Sequence, residues 1–292
     1  MPEPVSIKIK PYFNLEELEY SKRVGGGSFG EVYKGTLHGT DVAIKVFLDE
    51  CLSDKACREF KHEVNLMSHL RHPNIVLFMG AVIQPTQLAI VSEFVPRGSF
   101  FKLLHCTHAH IHPRRLLLMA LDIARGMNYL HSIGPKVVHR DLKSPNLLVD
   151  MDWTIKIADF GMSFANALTS STPKSSTGTP HWMAPEVLRS ERATAASDVF
   201  SYGVILWECV TRQVPWEGLD VVQILSAVGL RQKRLNIPHD LDPKLAQLIR
   251  ACFEEEPQMR PDFKTILEKL NSMEVLLPSP SCMAAREAEV QS

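Results

Sequence analysis

The polar stretch 139–146 carries the side chains of this sequence that are best suited to chemistry. It reads His-Arg-Asp-Leu-Lys-Ser-Pro-Asn and lies between two short apolar runs, 136–138 and 147–149. A polar loop between strand-like segments is a common way to present functional groups on a rigid base. Asp141 supplies a carboxylate, Lys143 an ammonium and Asn146 an amide. Together these groups could accept a proton, neutralise an anion and bind a metal ion.

A glycine-rich segment near the N-terminus is the second candidate. Its glycines at 25, 27 and 30 fit the pattern Gly-x-Gly-x-x-Gly, between stretches typical of β-strands at 18–24 and 31–37. The segment predicts a hairpin turn whose backbone amides can approach phosphate groups, because no Cβ intervenes. The flexible tip of an ordinary hairpin would explain the same glycines equally well, so the pattern alone does not decide.

The residues after the glycines separate these alternatives. A dinucleotide-binding fingerprint requires a helix directly after the glycines, but residues 31–35 continue as a strand pattern. A P-loop requires Gly-Lys-Ser/Thr at its end, and none follows. The next predicted strand, 41–48, instead carries Lys45 inside an apolar run. A lysine one strand after a phosphate-type loop favours a phosphate contact.

The composition is that of an ordinary globular protein. The chain has 292 residues, 45% hydrophobic and 22% charged, with a formal net charge of -1, so neither nucleic acid nor an anionic membrane is indicated as a partner. No apolar run reaches the roughly 18 residues that span a bilayer, and the N-terminus lacks a signal-peptide pattern. Six scattered cysteines are expected to be reduced thiols in a cytoplasmic or nuclear protein.

The elements that must position these candidates fall into two predicted lobes. Residues 1–17 are expected to be a leader, 18–95 a β-rich lobe, 96–273 a helical lobe and 274–292 a disordered tail. The periodicity of apolar residues predicts one helix in the first lobe, at 53–71. In the second it predicts helices at 113–131, 195–212, 221–230, 243–254 and 263–273.

A cluster of histidines and a cysteine, 105–112, could bind zinc or copper. The spacings are irregular, no second cluster of ligands is near in the sequence, and the run is predicted to connect two helices. A solvated loop is therefore the favoured interpretation, with a functional metal site as the alternative.

Further along the chain come residues 155–161, Ile-Lys-Ile-Ala-Asp-Phe-Gly, then a segment rich in Ser and Thr, then Met-Ala-Pro-Glu at 183–186. With the segments above, this ordered set resembles the signature of eukaryotic protein kinases over roughly residues 18–272. The resemblance implies an α+β fold of two lobes. The small lobe would be a mainly antiparallel sheet with one regulatory helix, and the large lobe would be mainly helical.

The resemblance also implies ATP and Mg²⁺ as cofactors and assigns the catalytic groups. In phosphoryl transfer, positioning and counter-charge supply most of the catalysis. Asp141 would accept or orient the proton of the substrate hydroxyl, and Lys143 would neutralise the transferred phosphate. Lys45, paired with Glu63, would hold the α- and β-phosphates. Asn146 and Asp159 would bind the metal.

The same resemblance implies the lining of the nucleotide pocket. Ser92 matches the position before the hinge, and its small side chain predicts an accessible apolar pocket behind the adenine. Val32, Ala43 and Leu148 would enclose the adenine. The full set of expected nucleotide contacts is Val24, Gly25, Gly26, Gly27, Ser28, Phe29, Gly30, Val32, Ala43, Lys45, Ser92, Glu93, Phe94, Val95 and Leu148.

Two structural features follow from the resemblance as well. The first is a buried ion pair between Glu186 and Arg260. The second is a stack of side chains that joins the lobes in the active arrangement, namely Met67, Phe78, His139 and Phe160. Plain core packing is the other interpretation of that stack, and the two are compatible.

The subgroup is indicated by a mixture of segments. Lys143 and the Gly-Thr-Pro at 178–180 are typical of serine/threonine kinases, whereas 197–208 and 260–263 are similar to tyrosine kinases. The mixture resembles the tyrosine-kinase-like group, and 71–80 and 182–186 are most similar to Raf and the Raf-like kinases of plants. His181 departs from the residue expected before Trp182, which affects the expected peptide preference.

The resemblance implies protein substrates, with a downstream MAP kinase kinase as one candidate. A dual-specificity or tyrosine kinase is the first alternative, and a pseudokinase scaffold is the second. No residue pattern decides whether the domain dimerises.

Regulation by phosphorylation is expected near Arg140, which in relatives belongs to a basic pocket for a phosphate of the activation loop. An upstream kinase or autophosphorylation in trans would supply that phosphate. Ser175, Ser176 and Thr177 are favoured over the other candidates. Those others are Thr169, Ser170, Ser171 and Thr172.

Overall fold

The computed structural model divides into two compact units. The first contains the described residues up to Arg71 together with Val76–Phe94, and the second contains His72–Ile75 and the described residues from Val95 onward. The division after Phe94 lies next to the boundary predicted after Val95. The residues that the structure describes are 12–27, 30–47, 60–61, 64–84, 87–107, 111–134, 136–159 and 180–282.

The first unit is built on a five-stranded antiparallel sheet, with strands in the order β1-β2-β3-β5-β4. Helical residues 60–61 and 64–68 belong to the same unit. The sheet and the helical second unit together confirm the predicted α+β class. The strands are β1 (Leu18–Gly27), β2 (Gly30–Leu37), β3 (Thr40–Phe47), β4 (Phe78–Gln84) and β5 (Gln87–Glu93).

Alternation along the strands places the core on one face of this sheet. In β3, Val42 and Ile44 are fully buried, and Val91 of β5 is buried beside them. Because successive side chains of a strand point to opposite faces, Ala43 and Lys45 lie on the other face. The alternation of β3 therefore separates core residues from candidate ligand-binding residues.

The sequence predicted a turn over the whole glycine-rich segment, but the first three glycines belong to strand β1. Gly25, Gly26 and Gly27 continue β1 and pair with Val32, Glu31 and Gly30, while residues 28–29 lie outside the described part. Gly30 has a φ of +155°, and a Cβ there would lie 1.9 Å from the carbonyl oxygen of Val46. Only glycine fits so close an approach between β2 and β3.

The second unit is mainly helical, and a two-stranded antiparallel sheet, β6 (Leu147–Val149) with β7 (Ile155–Ile157), follows the polar stretch 139–146. None of the helices described is both long and apolar enough to cross a membrane. The helices are α1 (Phe100–His105), α2 (Pro113–Ser132), α3 (Pro185–Leu188), α4 (Ala195–Thr211), α5 (Val221–Ile224), α6 (Pro243–Cys252) and α7 (Phe263–Asn271).

Helix α4 is the interior helix of this unit. Every residue from Ser197 to Thr211 is buried, as expected for a helix that is apolar on almost all sides. Thr194 caps its N-terminus, and Arg212, with a φ of 58°, ends it in the left-handed conformation. Helices α6 and α2 pack against it, and α7 packs against α2.

The predicted helix 221–230 is not one regular helix. After α5 the chain continues as a π-helical segment, Leu225–Leu230. In an amphipathic pattern of apolar residues, the helical period alone does not distinguish i→i+4 from i→i+5 hydrogen bonding.

The prediction that the C-terminal tail is disordered is wrong for residues 274–282. Leu276 and Ser279 are fully buried, and their amides donate to the carbonyl oxygens of Pro113 and Val210. The carboxylate of Asp240 accepts from the Ser279 hydroxyl and the Ser281 amide, at 2.8 Å each. Prolines 278 and 280 suggested disorder, but they only exclude a regular helix, and the segment is ordered by contacts with distant residues.

Replacing Leu276 by Ala tests this docking. The buried side chain leaves a cavity, so the free energy of unfolding should fall by about 2–5 kcal/mol. Leu277→Ala is the matched control, since that side chain is 51% exposed, and its effect should be small. Urea unfolding of both variants measures the difference, and equal effects would contradict the docked position of the segment.

Candidate active site

The loop 139–146 is held by a buried carboxylate from the interior helix α4. Asp198 accepts hydrogen bonds from the amides of His139 (2.8 Å) and Arg140 (2.9 Å). A third contact joins its Oδ2 to the imidazole Nε2 of His131, at 2.8 Å. Asp198 is only 1% exposed, and a buried carboxylate must be satisfied by such partners. The backbone of the loop is therefore fixed at its start.

Arg140 has a strained backbone at this point. Its φ of 69° lies in the left-handed region, which costs a non-glycine residue about 1–2 kcal/mol. The bond from its amide to Asp198 offsets that cost. Its side chain is exposed, so the guanidinium is presented to solvent beside Asp141.

His139 joins two predicted site residues through its ring. Nε2 lies 3.1 Å from the carbonyl oxygen of Ala158, and Nδ1 lies 3.3 Å from the amide of Asp141. Because a carbonyl only accepts and an amide only donates, the ring is the neutral tautomer with its proton on Nε2. The imidazole thus connects Asp141 to the residue before Asp159.

The three groups singled out from the sequence lie together. Lys143 Nζ is 2.8 Å from Asp141 Oδ2, and Asn146 Nδ2 donates to the same oxygen and to the backbone oxygen of Asp141, at 2.9 Å each. The side chains of Asp141 and Lys143 are 12% and 14% exposed. Both side-chain contacts use Oδ2 of Asp141, so the orientation of the carboxylate is set.

Asn146 and Asp159 are placed at one end of the small sheet. Asn146 precedes β6, and its carbonyl oxygen accepts from the amide of Ala158, at 2.9 Å, just beyond β7. The amino group of Asn146 faces Asp141, so its amide oxygen points away from that carboxylate. Asp159 is exposed, with a φ of 55°. An amide oxygen and a carboxylate are ligands that fit Mg²⁺.

In the first unit, predicted nucleotide contacts share the face of the sheet opposite the core. Lys45 is paired across the strands with Val32 of β2, and Ala43 is paired with Ser92 of β5. Side chains paired directly across strands point to the same face. Register therefore places these four residues on one face of the sheet, and their contact with a nucleotide stays a prediction.

The expected hinge follows Ser92 and begins at Glu93. The backbone amide of Glu93 is already engaged within the first unit, so it is not free to bind a ligand. The Glu93 amide already donates to the carbonyl oxygen of Leu77, at 3.0 Å, and Glu93 Oε1 accepts from the Leu77 amide, at 2.7 Å. Lys34 lies 4.9 Å from the centre of the Phe94 ring. Val95 and Leu148, expected to join the same pocket, belong to the second unit.

Several predicted residues lie outside the described part of the chain. They are Glu63, Ser28, Phe29, Phe160 and the seven candidate phosphorylation sites at 169–172 and 175–177. The expected Lys45–Glu63 pair and the complete stack with Phe160 remain predictions.

The predicted tie between Glu186 and Arg260 is confirmed. Two parallel hydrogen bonds of 2.8 Å join the guanidinium to the carboxylate, and the Ser197 hydroxyl adds a third, also of 2.8 Å. Burial raises the pKa of Glu186, but the hydrogen bonds and charge of Arg260 outweigh it and hold the pKa below its usual value. Three backbone carbonyls accept the remaining donors of Arg260.

The sequence predicted that His105 lies in a solvated loop, but the structure places it in a helix and against a buried carboxylate. It ends α1, and its Nε2 lies 3.0 Å from Oε1 of Glu208. Among the residues that the structure describes, no group of three or more His, Cys, Asp or Glu side chains is arranged to hold a metal ion. Residues 108–110 lie outside the described part.

Sequence reasoning assigned no role to Asp198 and Glu208, which the structure shows to be in contact with the loop 139–146. Both are charged residues on the otherwise mainly apolar helix α4, and both are buried. A carboxylate inside an apolar helical pattern was the available signal, because such a group requires nearby donors. Which donors meet it depends on contacts that are distant in sequence.

Comparison with known proteins identifies the family. The chain matches the model of the protein tyrosine and serine/threonine kinase family over residues 18–270, and it belongs to that family. It is 52% identical over 259 residues to the probable serine/threonine-protein kinase SIS8 of Arabidopsis thaliana, and 50% identical over 259 residues to the serine/threonine-protein kinase CTR1 of the same plant. It is also 43% identical over 270 residues to the probable serine/threonine-protein kinase drkC of Dictyostelium discoideum.

These matches cover 89%, 88% and 91% of the present chain, but only 25%, 32% and 36% of the three relatives. The chain thus spans about a quarter to a third of the length of the relatives it matches.

The Glu186–Arg260 pair gives a stability prediction. Glu186→Gln leaves a buried guanidinium without its counter-charge, so the free energy of unfolding at pH 7 should fall by about 3 kcal/mol. This is the lower end for a broken buried pair, because backbone carbonyls still accept from Arg260.

The pH dependence of this loss has a definite sign. Since the folded pKa of Glu186 lies below the unfolded value of about 4.3, its stabilisation is present above that pH and lost as pH falls through the folded pKa. Urea unfolding from pH 7 to 3 should show the wild type losing its advantage over Glu186→Gln. Glu217→Gln, at an exposed position, is the control, and an advantage that persists unchanged to pH 3 would contradict the assignment.

Proposed function

We propose that this member of the protein kinase family transfers the γ-phosphate of ATP to serine and threonine hydroxyls of protein substrates. The observation that carries the proposal is the orientation of the Asp141 carboxylate, whose Oδ2 is held by Lys143 at 2.8 Å and Asn146 at 2.9 Å. A carboxylate held in one orientation can accept a hydrogen bond from an incoming hydroxyl and take its proton as the new bond to phosphorus forms.

Lys143 serves the transferred group. Its ammonium is already beside Asp141, so a phosphoryl group approaching the same hydroxyl would come close to this cation. Phosphoryl transfer spreads negative charge over the transferred oxygens, and a fixed cation stabilises that charge most where water is largely excluded. Its 14% exposure meets that condition.

Asn146 and Asp159 are the proposed ligands of Mg²⁺. The metal, when bound, neutralises the phosphate oxygens and orients the nucleotide. Asn146 directs its amino group to Asp141, which leaves its amide oxygen for the ion. The pairing of Asn146 with Ala158 keeps both metal-ligand positions next to the same two strands.

The nucleotide would be bound by the face of the sheet that carries Val32, Ala43, Lys45 and Ser92, together with the glycine-rich strands β1 and β2. Lys45 would contact the α- and β-phosphates, with Glu63 as its proposed partner. Ala43 and Val32 offer apolar contact to adenine, with Leu148 of β6 as the third. The small Ser92 would leave space behind the adenine for a bulky inhibitor.

Specificity for serine and threonine is supported by Lys143 at its position two residues after Asp141, and by the names of the relatives. The segment 197–208, similar to tyrosine kinases in sequence, lies within α4, which is buried. Buried side chains of this helix do not contact a substrate hydroxyl, so that similarity is no argument for tyrosine specificity.

The cellular role is proposed from the Raf-like segments at 71–80 and 182–186. A kinase of this kind acts on other proteins in a signalling cascade, and a MAP kinase kinase is the substrate class that we propose. We propose a location in the cytoplasm or nucleus, because the scattered cysteines are expected to be reduced thiols. No residue pattern decides whether the kinase domain dimerises, and sedimentation tests it: a monomer at all concentrations would exclude a dimer.

The activity can be tested with the purified chain, Mg²⁺, ATP labelled at the γ-phosphate and a mixture of protein substrates. Phosphoamino-acid analysis should give phosphoserine and phosphothreonine. Asp141→Asn should lower the rate by at least about 10²-fold, since the oriented carboxylate is lost. Asp152→Asn, at an exposed carboxylate, is the matched control and should leave transfer unchanged.

Each other outcome of this assay has its own meaning. Phosphotyrosine as the main product would favour the alternative of dual or tyrosine specificity. ATP binding without transfer would favour a scaffold, and label that persists in Asp141→Asn would contradict the role of that residue.

Regulation by phosphorylation of Ser175, Ser176 or Thr177 is supported by Arg140. The bond from its amide to Asp198 fixes the backbone, and its exposed guanidinium can pair with a phosphate by strong charge-assisted hydrogen bonds. Alanine at all three positions should lower the activity of the autophosphorylated protein about tenfold or more. Alanine at Thr169, Ser170 and Ser171 is the matched control, and phosphopeptide mapping identifies the modified residue. Undiminished activity in the first variant would contradict the proposal.

A further inference from the structure

The segment 274–282 is held on the second unit by contacts that meet at Ser279. Its amide donates to the carbonyl oxygen of Val210 at 2.8 Å, and its hydroxyl donates to Oδ1 of Asp240, also at 2.8 Å. The amide of Ser281 donates to the other oxygen of the same carboxylate, at 2.8 Å. Ser279 is fully buried, whereas Ser281 is exposed. One buried serine therefore joins this segment to two parts of the unit that are distant in sequence.

The residue after Ser279 makes it a recognisable modification site. Proline-directed protein kinases select a serine or threonine that is followed directly by proline, and Ser279 precedes Pro280. The other pairs of this kind begin at Ser144, Thr172 and Thr179. Ser144 is buried in the loop of the proposed active site, and the two threonines lie outside the described residues. Ser279 is therefore the described candidate that lies away from the active site.

A protein kinase can reach Ser279 only when the segment leaves the unit, because the docked serine has no exposed surface. Val275 and Leu277 are 37% and 51% exposed. The backbone of the segment is attached to backbone elsewhere in the unit through the amides of Leu276 and Ser279. A segment with exposed neighbours and few such attachments opens locally, without unfolding of the whole protein.

A phosphate on Ser279 is incompatible with the docked position. Transfer from ATP replaces the hydroxyl proton by a phosphoryl group and releases ADP and that proton, so Oγ keeps no hydrogen to donate to Asp240. The hydrogen bonds from the Ser281 amide and the Ser279 hydroxyl hold the pKa of Asp240 below its usual value, so its carboxylate is negative at neutral pH. The phosphate adds roughly one and a half to two further negative charges, and burying them is costly. Burial and like charge therefore both oppose the return of the segment.

We propose that Ser279 is phosphorylated by a proline-directed protein kinase and that its phosphate holds the segment 274–282 away from the second unit. The modification uncovers the surface under Leu276, next to Pro113 at the start of α2 and Val210 near the end of α4. The inference goes beyond the proposed function, because this chain is the substrate here and none of its own activity is required.

The site is tested with the purified chain, Mg²⁺, ATP and an active MAP kinase, with a cyclin-dependent kinase as the second proline-directed probe. Phosphopeptide mapping by mass spectrometry should find phosphate on Ser279 only when one of these kinases is added. Ser279→Ala should lose that phosphopeptide. Ser281→Ala is the matched control, since Ser281 is not followed by proline, and it should retain phosphate at position 279.

Hydrogen exchange of the phosphorylated protein tests the release. The amides of Leu276, Ser279 and Ser281 donate hydrogen bonds in the docked segment, so their exchange should become at least about tenfold faster after phosphorylation. Exchange at Tyr202, inside the buried helix α4, should stay unchanged, because only the segment opens.

Asp240→Asn tests whether opening limits the modification. Asparagine presents one oxygen and one amino group, so it cannot accept from Ser279 and Ser281 on separate oxygens. The open form is then more populated, and phosphorylation of Ser279 should become at least about fivefold faster, as expected when a hydrogen bond to a charged group is lost. Asp240 lies 39 positions from Ser279, so the stretch that the kinase recognises is unaltered. Glu217→Gln, the same change of charge at an exposed position, is the matched control and should leave the rate unchanged.

Each outcome decides one part of the inference. Phosphate on Ser279, with faster exchange of the three amides, supports both the site and the release. The absence of phosphate on Ser279 with both kinases, in the wild type and in Asp240→Asn alike, overturns the site. Phosphate that forms without an added kinase overturns the assignment to a partner kinase. Unchanged exchange after phosphorylation, or equal rates in Asp240→Asn and the wild type, overturns the release.

Discussion

The proposed active-site loop, residues 139–146, depends on one interaction, the hydrogen bonds that its backbone makes to the buried carboxylate of Asp198. This carboxylate accepts the amides of His139 and Arg140, and the second of these residues has a left-handed backbone that it would not adopt alone. With the start of the loop fixed in this way, His139 can reach both Asp141 and Ala158. Removing the carboxylate would leave buried amides without an acceptor, which costs about 1–3 kcal/mol for each such group. The same cost explains why a charge is retained inside an apolar helix.

Helix α4 acts as a frame because it carries two such carboxylates. Asp198, near its N-terminus, holds the beginning of the loop 139–146, and Glu208, nearly three turns later, contacts Ser144 in the middle of that loop. The helix is surrounded by other elements of the second unit, so it cannot shift without disturbing the packing around it. The geometry of Asp141, Lys143 and Asn146 is therefore set by side chains that take no direct part in the proposed chemistry.

The buried charges of Glu186 and Arg260 have complete sets of hydrogen-bond partners. Glu186 and Arg260 satisfy each other through two parallel bonds, and the remaining guanidinium donors reach backbone carbonyls. Such a pair adds little net stability compared with apolar side chains of the same size, but breaking it is costly. It attaches the segment after the turn Pro180–Trp182 to the chain beyond α6, and Ser201 of α4 donates to the carbonyl oxygen of Trp182 in that turn.

The sequence by itself determined the chemical groups and their local order. Asp141, Lys143 and Asn146 lie within six residues, so a short loop brings them together, and strand alternation placed Ala43 and Lys45 on one face. Only the tertiary structure decided what holds these groups in place. Asp198 meets His139 across 59 positions of the chain, Glu208 meets Ser144 across 64 and His105 across 103. Leu276 is buried, although its segment was predicted to be disordered. Local periodicity carries no information about such contacts, because a buried polar group is satisfied by whichever donors the packing of the whole unit brings to it.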